Sequence, residues 1–351
     1  MVSGRTLGLL GFASAAVGGV GFGLLARQRT ADFRRELDAD PEWLELQRPL
    51  GGRALHVTSF DGTVLHAEVT GRDGAPTIVL AHGYALTLQA WHYQRRDLSD
   101  EFRVVAYDQR GHGRSGRAVS SDYSIAALGR DLAAVLAAVS GRRERVVVAG
   151  HSLGGMSLLS FAQDHPREVR RRLAGAVFLD TTGSDVLAGG LVTTGVAVAS
   201  VLPRSALQRG LPLLRRGGPV PPGEPQRGPV DLTTLITRAV GFGPDPKAGH
   251  VAFVEQLAVD TPNSVKADLG PTLTALDLRD APSSITVPAL VMVGSHDRLT
   301  PPAAAARLSA ALPDARLVVL QGSGHNAMLE AAEQVTGELR AFARARFARV
   351  A

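Results

Sequence analysis

The 351-residue sequence has no cysteine, and only two of its 38 basic residues are lysines, Lys247 and Lys266. Without thiols there are no disulfides, no thiolate metal sites and no cysteine nucleophile, and the redox compartment is left open. Aromatic residues make up only 5% of the chain, too few for the stacking platforms that bind single-stranded nucleic acid. No pair of histidines has the spacing of a zinc motif and no P-loop sequence occurs, so neither a metal nor a cofactor is implied. The net charge of +5 would suggest nucleic acid if the arginines clustered. They are scattered, which fits a solvated surface and no nucleic-acid partner.

What is present is a globular composition, 45% hydrophobic and 20% charged, in a chain long enough to bury a full core. One run stands apart. Leu7 to Ala26 carries no charge over 20 residues, and as a helix rising ~1.5 Å per residue it would span about 30 Å, the thickness of a bilayer core. Arg5 precedes it and Arg27, Arg29, Arg34 and Arg35 lie just beyond it. Read as an uncleaved anchor, residues 1–26 attach the protein to a membrane, and the arginine excess keeps the rest of the chain on the cytoplasmic side. The alternative is a secretory signal cleaved after the weak Leu24-Leu25-Ala26, giving a secreted protein.

Residues 27–50, charged and holding Pro41 and Pro49, read as a short helix and a linker. Ala54 to Thr70 alternates around Asp61-Gly62, the pattern of a β-hairpin. Buried-type strands are expected at Thr77–Ala81, Arg103–Tyr107 and Arg145–Ala149, with further strands at Ala176–Leu179, Ala289–Val293 and Arg316–Leu320 and a helix over Ser124–Val139. This alternation predicts an α/β fold with a mostly parallel sheet flanked by helices, built from 51–180 and 285–351. The interval 181–284 is too long for a structureless loop and reads as a mobile helical cap. It includes the apolar stretch Val186–Leu202 and a basic middle with Arg204, Arg209, Arg215, Arg216 and Arg227.

Chemistry is carried by Gly150-His151-Ser152-Leu153-Gly154, which fits G-x-S-x-G directly after a strand and directly before an apolar helix. The glycines permit the strained turn that lifts a serine hydroxyl above the sheet. Asp297 ends the strand Ala289–Val293 and His325 comes just after the strand Arg316–Leu320. The chain order Ser, Asp, His brings Ser152 as nucleophile, His325 as base and Asp297 as orienting carboxylate to one sheet edge. Asp180, also at a strand end, is the alternative acid. An acyl-transfer site needs two N–H donors for the oxyanion, assigned to the backbone of Leu153 and of Tyr84 in His82-Gly83-Tyr84. Gly111-x-Gly113-x-x-Gly116 matches a dinucleotide fingerprint in form but opens no helix, and reads as a turn.

His82-Gly83-Tyr84, Asp108-Gln109-Arg110-Gly111-His112-Gly113-Arg114-Ser115, Gly150-His151-Ser152-Leu153-Gly154-Gly155, Gly294-Ser295-His296-Asp297 and Gly322-Ser323-Gly324-His325 together resemble the α/β-hydrolase superfamily. The likeness is greatest to its branch of esterases, lipases and non-haem haloperoxidase-like enzymes, and covers about residues 54–348 except most of the cap. It implies a serine hydrolase acting on an ester-like bond of a small substrate, which the apolar cap stretch makes lipophilic. The alternatives are a small-molecule receptor that keeps the triad, or acyl transfer, haloperoxidase-like or C–C hydrolase chemistry at the same serine. Nothing in the sequence speaks to oligomeric state.

Overall fold

The hairpin comes first. In the computed structural model, β1 (Arg53–Thr58) and β2 (Val64–Thr70) pair antiparallel with Thr58 opposite Val64. Between them Gly62 takes φ +88°, and Asp61 Oδ1 accepts the Thr63 N–H at 3.1 Å. The structure describes residues 32–33, 35–141, 144–184 and 232–348. The apolar run Leu7–Ala26, expected as an anchor helix, lies outside the described residues, as do Val186–Leu202 and Arg204, Arg209, Arg215, Arg216 and Arg227. Among the described residues no helix is long and apolar enough to cross a membrane.

The hairpin is joined by β3 (Thr77–Ala81), β4 (Arg103–Tyr107), β5 (Val146–His151), β6 (Leu173–Leu179), β7 (Ala289–Gly294) and β8 (Ala315–Leu320). All lie in one sheet, in the order β1-β2-β4-β3-β5-β6-β7-β8. Pairing is antiparallel from β1 through β2 to β4 and parallel from there on. The central strands β3, β5, β6 and β7 are buried along their whole length, as a sheet covered on both faces requires. Successive side chains alternate between the faces. Ile78 and Leu80 join one cluster with Trp91, Leu98 and Leu339, while Val79 and Ala81 join the other with Leu132, Val135 and Phe161.

β5 reaches two residues further than the sequence pattern suggested, because Gly150 and His151 still pair with Phe178 and Leu179 of β6. Ser152 therefore stands at the strand's very end. β6 begins three residues early, directly after a helix that ends in Arg170, Arg171 and Arg172.

Among the described residues the α-helices in chain order are α1 (Pro41–Leu46), α2 (His92–Leu98), α3 (Ile125–Val139), α4 (Leu153–Asp164), α5 (Pro166–Arg172), α6 (Leu232–Gly241), α7 (Ala248–Asp260), α8 (Asn263–Thr274), α9 (Pro302–Ala311), α10 (Ala327–Glu330) and α11 (Ala332–Phe347). α3 starts where expected because the Ser124 hydroxyl accepts the Ala127 N–H at 3.2 Å, satisfying one of the helix's orphan donors. In the segment between β6 and β7, α7 packs into one core cluster and α8 into the other. α7 and α8 thus serve opposite faces of the sheet.

The stretch 27–50, expected as a short helix and a linker, holds the helix α1 and is tied down at 40–46. Asp40 caps α1 by accepting the Glu42 N–H at 3.0 Å, and its second oxygen accepts the Gly249 N–H of α7 at 2.8 Å. Glu42 takes hydrogen bonds from Tyr93 (2.8 Å) and His250 (2.7 Å) and pairs with Lys247. Pro41 sits at the helix start, where its missing N–H costs nothing.

Candidate active site

The turn after β5 is forced by three glycines. Ser152 has φ +49° and ψ −116°, a conformation that costs a non-glycine residue on the order of 1–3 kcal/mol. A Cβ on Gly150 would lie 2.5 Å from the Gly154 backbone, one on Gly154 would lie 2.2 Å from the Ala81 carbonyl oxygen, and one on Gly155 would lie 2.6 Å from the Thr181 side chain. Bare glycine lets α4 press against β3 while the serine is turned out. The Ser152 N–H donates to the Leu179 carbonyl at 3.0 Å, and the Thr181 hydroxyl donates to the Ser152 carbonyl at 2.7 Å.

The three residues singled out from the sequence meet. Ser152 Oγ lies 3.0 Å from His325 Nε2, and His325 Nδ1 lies 2.8 Å from Asp297 Oδ2. With a proton on Nδ1, the imidazole donates to the carboxylate and accepts from the hydroxyl. All three residues are buried. Asp297 also accepts the N–H groups of Leu299 (2.8 Å) and Thr300 (2.9 Å) and the Thr300 hydroxyl (2.7 Å). Burial works against its charge, but the imidazole and the Thr300 donors outweigh it and hold its pKa below the ordinary carboxylate value.

The loop after β3 closes the other side. A Cβ on Gly83 would lie 3.2 Å from the Ser152 Cβ, so the residue before Tyr84 packs against the serine. Leu153 is the first residue of α4, where backbone N–H groups have no partner within the helix. The Tyr84 hydroxyl donates to the Lys266 carbonyl of α8 at 3.1 Å. Two histidines shape this loop: His82 donates from Nδ1 to the Gly83 carbonyl (2.7 Å), and His112 Nε2 accepts the Ala85 N–H (3.2 Å). Burial drives the His82 pKa well below its usual value and the His112 pKa down to about 4. Both rings are therefore neutral near pH 7, as an accepting nitrogen demands.

A sequence model described as "Alpha/beta hydrolase family" matches residues 78–338. The chain belongs to that family. Proteins named putative carbamate hydrolase RutD resemble the hydrolase along most of its length. One from Escherichia coli O150:H5 (strain SE15) is 30% identical over 254 residues, covering 72% of this chain and 85% of that protein. Another from Yersinia enterocolitica is 29% identical over 285 residues, covering 79% and 91%. Among solved structures, a thermophilic esterase from Thermogutta terrifontis superposes with a TM-score of 0.63 at 24% identity, over 84% of this chain and 99% of that one. That likeness speaks for the fold.

Asp180, the alternative acid, does not touch His325 in the hydrolase. Its two oxygens accept the N–H groups of Gly294 (2.8 Å) and Ala327 (3.2 Å), and burial together with the charge of Asp297 pushes its pKa well up. The glycines at 111–116 form a turn in which a Cβ on Gly113 would strike the Asp108 carboxylate at 2.3 Å. The next helix opens only at Ile125.

Residues that sequence reasoning passed over hold the machinery in place. The His151 ring donates from Nε2 to the His325 carbonyl at 2.8 Å. Its pKa falls to about 3, through burial and then through the nearby His325. Thr300 carried no motif signal and meets the carboxylate only through the turn after β7. His151 and His112 had none beyond their place in the motifs.

Proposed function

We propose that the chain is a serine hydrolase cleaving a carboxylic ester or carbamate bond of a small molecule through an acyl-enzyme on Ser152. The carrying observation is the unbroken hydrogen-bond chain from the Ser152 hydroxyl through His325 to Asp297, with the serine on a strained turn beside Gly83. The Ser152 proton passes to His325 Nε2 as Oγ attacks the carbonyl carbon. The imidazolium, stabilised by Asp297, then returns that proton to the leaving group. Water repeats the cycle and releases the acid. The backbone N–H groups of Tyr84 and Leu153 stabilise the oxyanion.

An ester and a carbamate both offer the serine a carbonyl carbon, the carbamate's made less electrophilic by its nitrogen lone pair. The family supports hydrolysis, and the relatives named carbamate hydrolase bring carbamates beside esters as substrates. The segment between β6 and β7 is read as the cap that selects among them, with a lipophilic acyl group favoured by Val186–Leu202. Attachment to a membrane through residues 7–26, with catalysis on the cytoplasmic side, belongs to the same reading and rests on the uncharged run and its flanking arginines.

The test is turnover of p-nitrophenyl esters and of aryl carbamates by the wild type and Ser152→Ala. Loss of kcat by ~10⁴ to 10⁶ in the variant supports the reading. An unchanged rate overturns it, and an inert wild type favours a receptor that has kept the fold.

A further inference from the structure

The loop bearing His325 is suspended from two sides. From the core, His151 donates to the His325 carbonyl at 2.8 Å and Asp180 accepts the Ala327 N–H at 3.2 Å. From the segment between β6 and β7, the end of α6 reaches in, and the Gly241 carbonyl accepts both the backbone N–H (3.1 Å) and the side-chain amide (2.9 Å) of Asn326. One further group spans this second seam. Glu330, at the end of α10 and five residues beyond His325, accepts the Gly324 N–H with Oε1 at 2.8 Å and the Gly243 N–H with Oε2 at 2.7 Å.

We propose that Glu330 is a positioning residue that locks the chain just beyond α6 to the histidine loop, making the placing of Gly243 and the alignment of His325 a single event. The inference rests on the reading of His325 as the catalytic base. It draws on the shape of the seam as well as on the two hydrogen bonds. A Cβ on Gly243 would lie 2.1 Å from the Gly322 carbonyl oxygen, and one on Gly324 would lie 2.3 Å from the Phe242 backbone. The two stretches of main chain thus touch directly, while Phe242 is fully buried in the core cluster beneath. Two main chains at that distance present amides that must be satisfied within the seam.

A carboxylate suits the task because both its oxygens accept. Glutamine keeps one accepting oxygen and turns an NH₂ toward the second amide, so Glu330→Gln breaks one of the two links. Aspartate keeps both acceptors but is one methylene too short to bridge them. Glu330 thus ties Gly243 to Gly324, the residue beside His325. A misplacement of about 1 Å in such a group can cost on the order of 100-fold in rate.

The experiment compares amide hydrogen exchange of 237–245 and 320–331, together with kcat, in the full-length wild type, Glu330→Gln and Glu330→Asp. The expected result is faster exchange in both segments together, a fall in kcat of roughly 10- to 100-fold on the scale cited for misplacement, and a melting temperature lowered by only a few degrees, as the loss of one buried acceptor implies. Aspartate should fare no better than glutamine despite its charge. Faster exchange confined to 320–331, or an unchanged kcat in both variants, overturns the proposal by making Glu330 a local brace. Should the wild type itself show no turnover, the exchange arm still reads the coupling, so failure of the seam and failure of the hydrolase reading remain distinct.

Discussion

Asp180 and Asp297 stand at the carboxyl ends of two neighbouring strands, β6 and β7, and both are buried. Their surroundings drive them in opposite directions. Asp297 faces an imidazole and takes a hydroxyl and two amides, which hold its pKa down against burial. Asp180 takes two amides and faces the charge of Asp297, and burial prevails. Position at a strand end does not by itself make a carboxylate the partner of a histidine. The donors it meets, and whether a histidine ring lies within reach, decide the role.

The comparison is broken most forcefully by exchanging each carboxylate for its amide. Asp297→Asn should cost about 10⁴ in kcat, because the amide favours the wrong imidazole tautomer. Asp180→Asn should leave kcat within about ten-fold and instead cost ~1–3 kcal/mol of stability, as one backbone N–H of Gly294 or Ala327 loses its acceptor. Comparable rate losses in the two variants would show that the strand ends are not divided in this way. Thr300→Val removes the hydroxyl donor from Asp297, along with its longer 3.4 Å contact to His325 Nδ1. A kcat loss of about ten-fold, corresponding to ~1.4 kcal/mol of transition-state stabilisation, is expected, with Asp180 unaffected.

The smallest effect sharpens the contrast through its sign. The Asp297 pKa is depressed on folding, so its contribution to stability is complete above the unfolded carboxylate pKa and is lost as pH falls through the folded value. For Asp180 the folded pKa is raised, so stability declines as pH climbs from the unfolded value toward the folded one. Denaturant unfolding from about pH 2.5 to about pH 7 should therefore show the Asp297→Asn deficit growing with pH and the Asp180→Asn deficit shrinking. Parallel changes would refute the opposed shifts.

Much of this site was legible from residues alone. Ser152, Asp297 and His325 each come after a run of β-branched and apolar residues, so their place at the rim is set by strand periodicity and chain order. The strands β3 and β4 fell on their expected bounds, Thr77–Ala81 and Arg103–Tyr107. What escaped depends on partners far along the chain. Glu42 meets His250 across 208 positions and Glu330 meets Gly243 across 87, and no local pattern announces such a pairing. The short helix and linker read over 27–50 gave no sign of where residues 40–46 would dock. Their counter-groups stand on α2 and α7 and just ahead of α7, which only the folded chain brings near.

The role of His325 in activating Ser152 is tested most directly by treating the protein with a fluorophosphonate and mapping the adduct by peptide mass spectrometry, in the wild type and in His325→Ala. The expected outcome is a single stoichiometric adduct on Ser152 in the wild type, slowed by orders of magnitude when the imidazole is removed. Labelling of Ser152 at an equal rate in both proteins, or labelling of a different residue, would contradict the account.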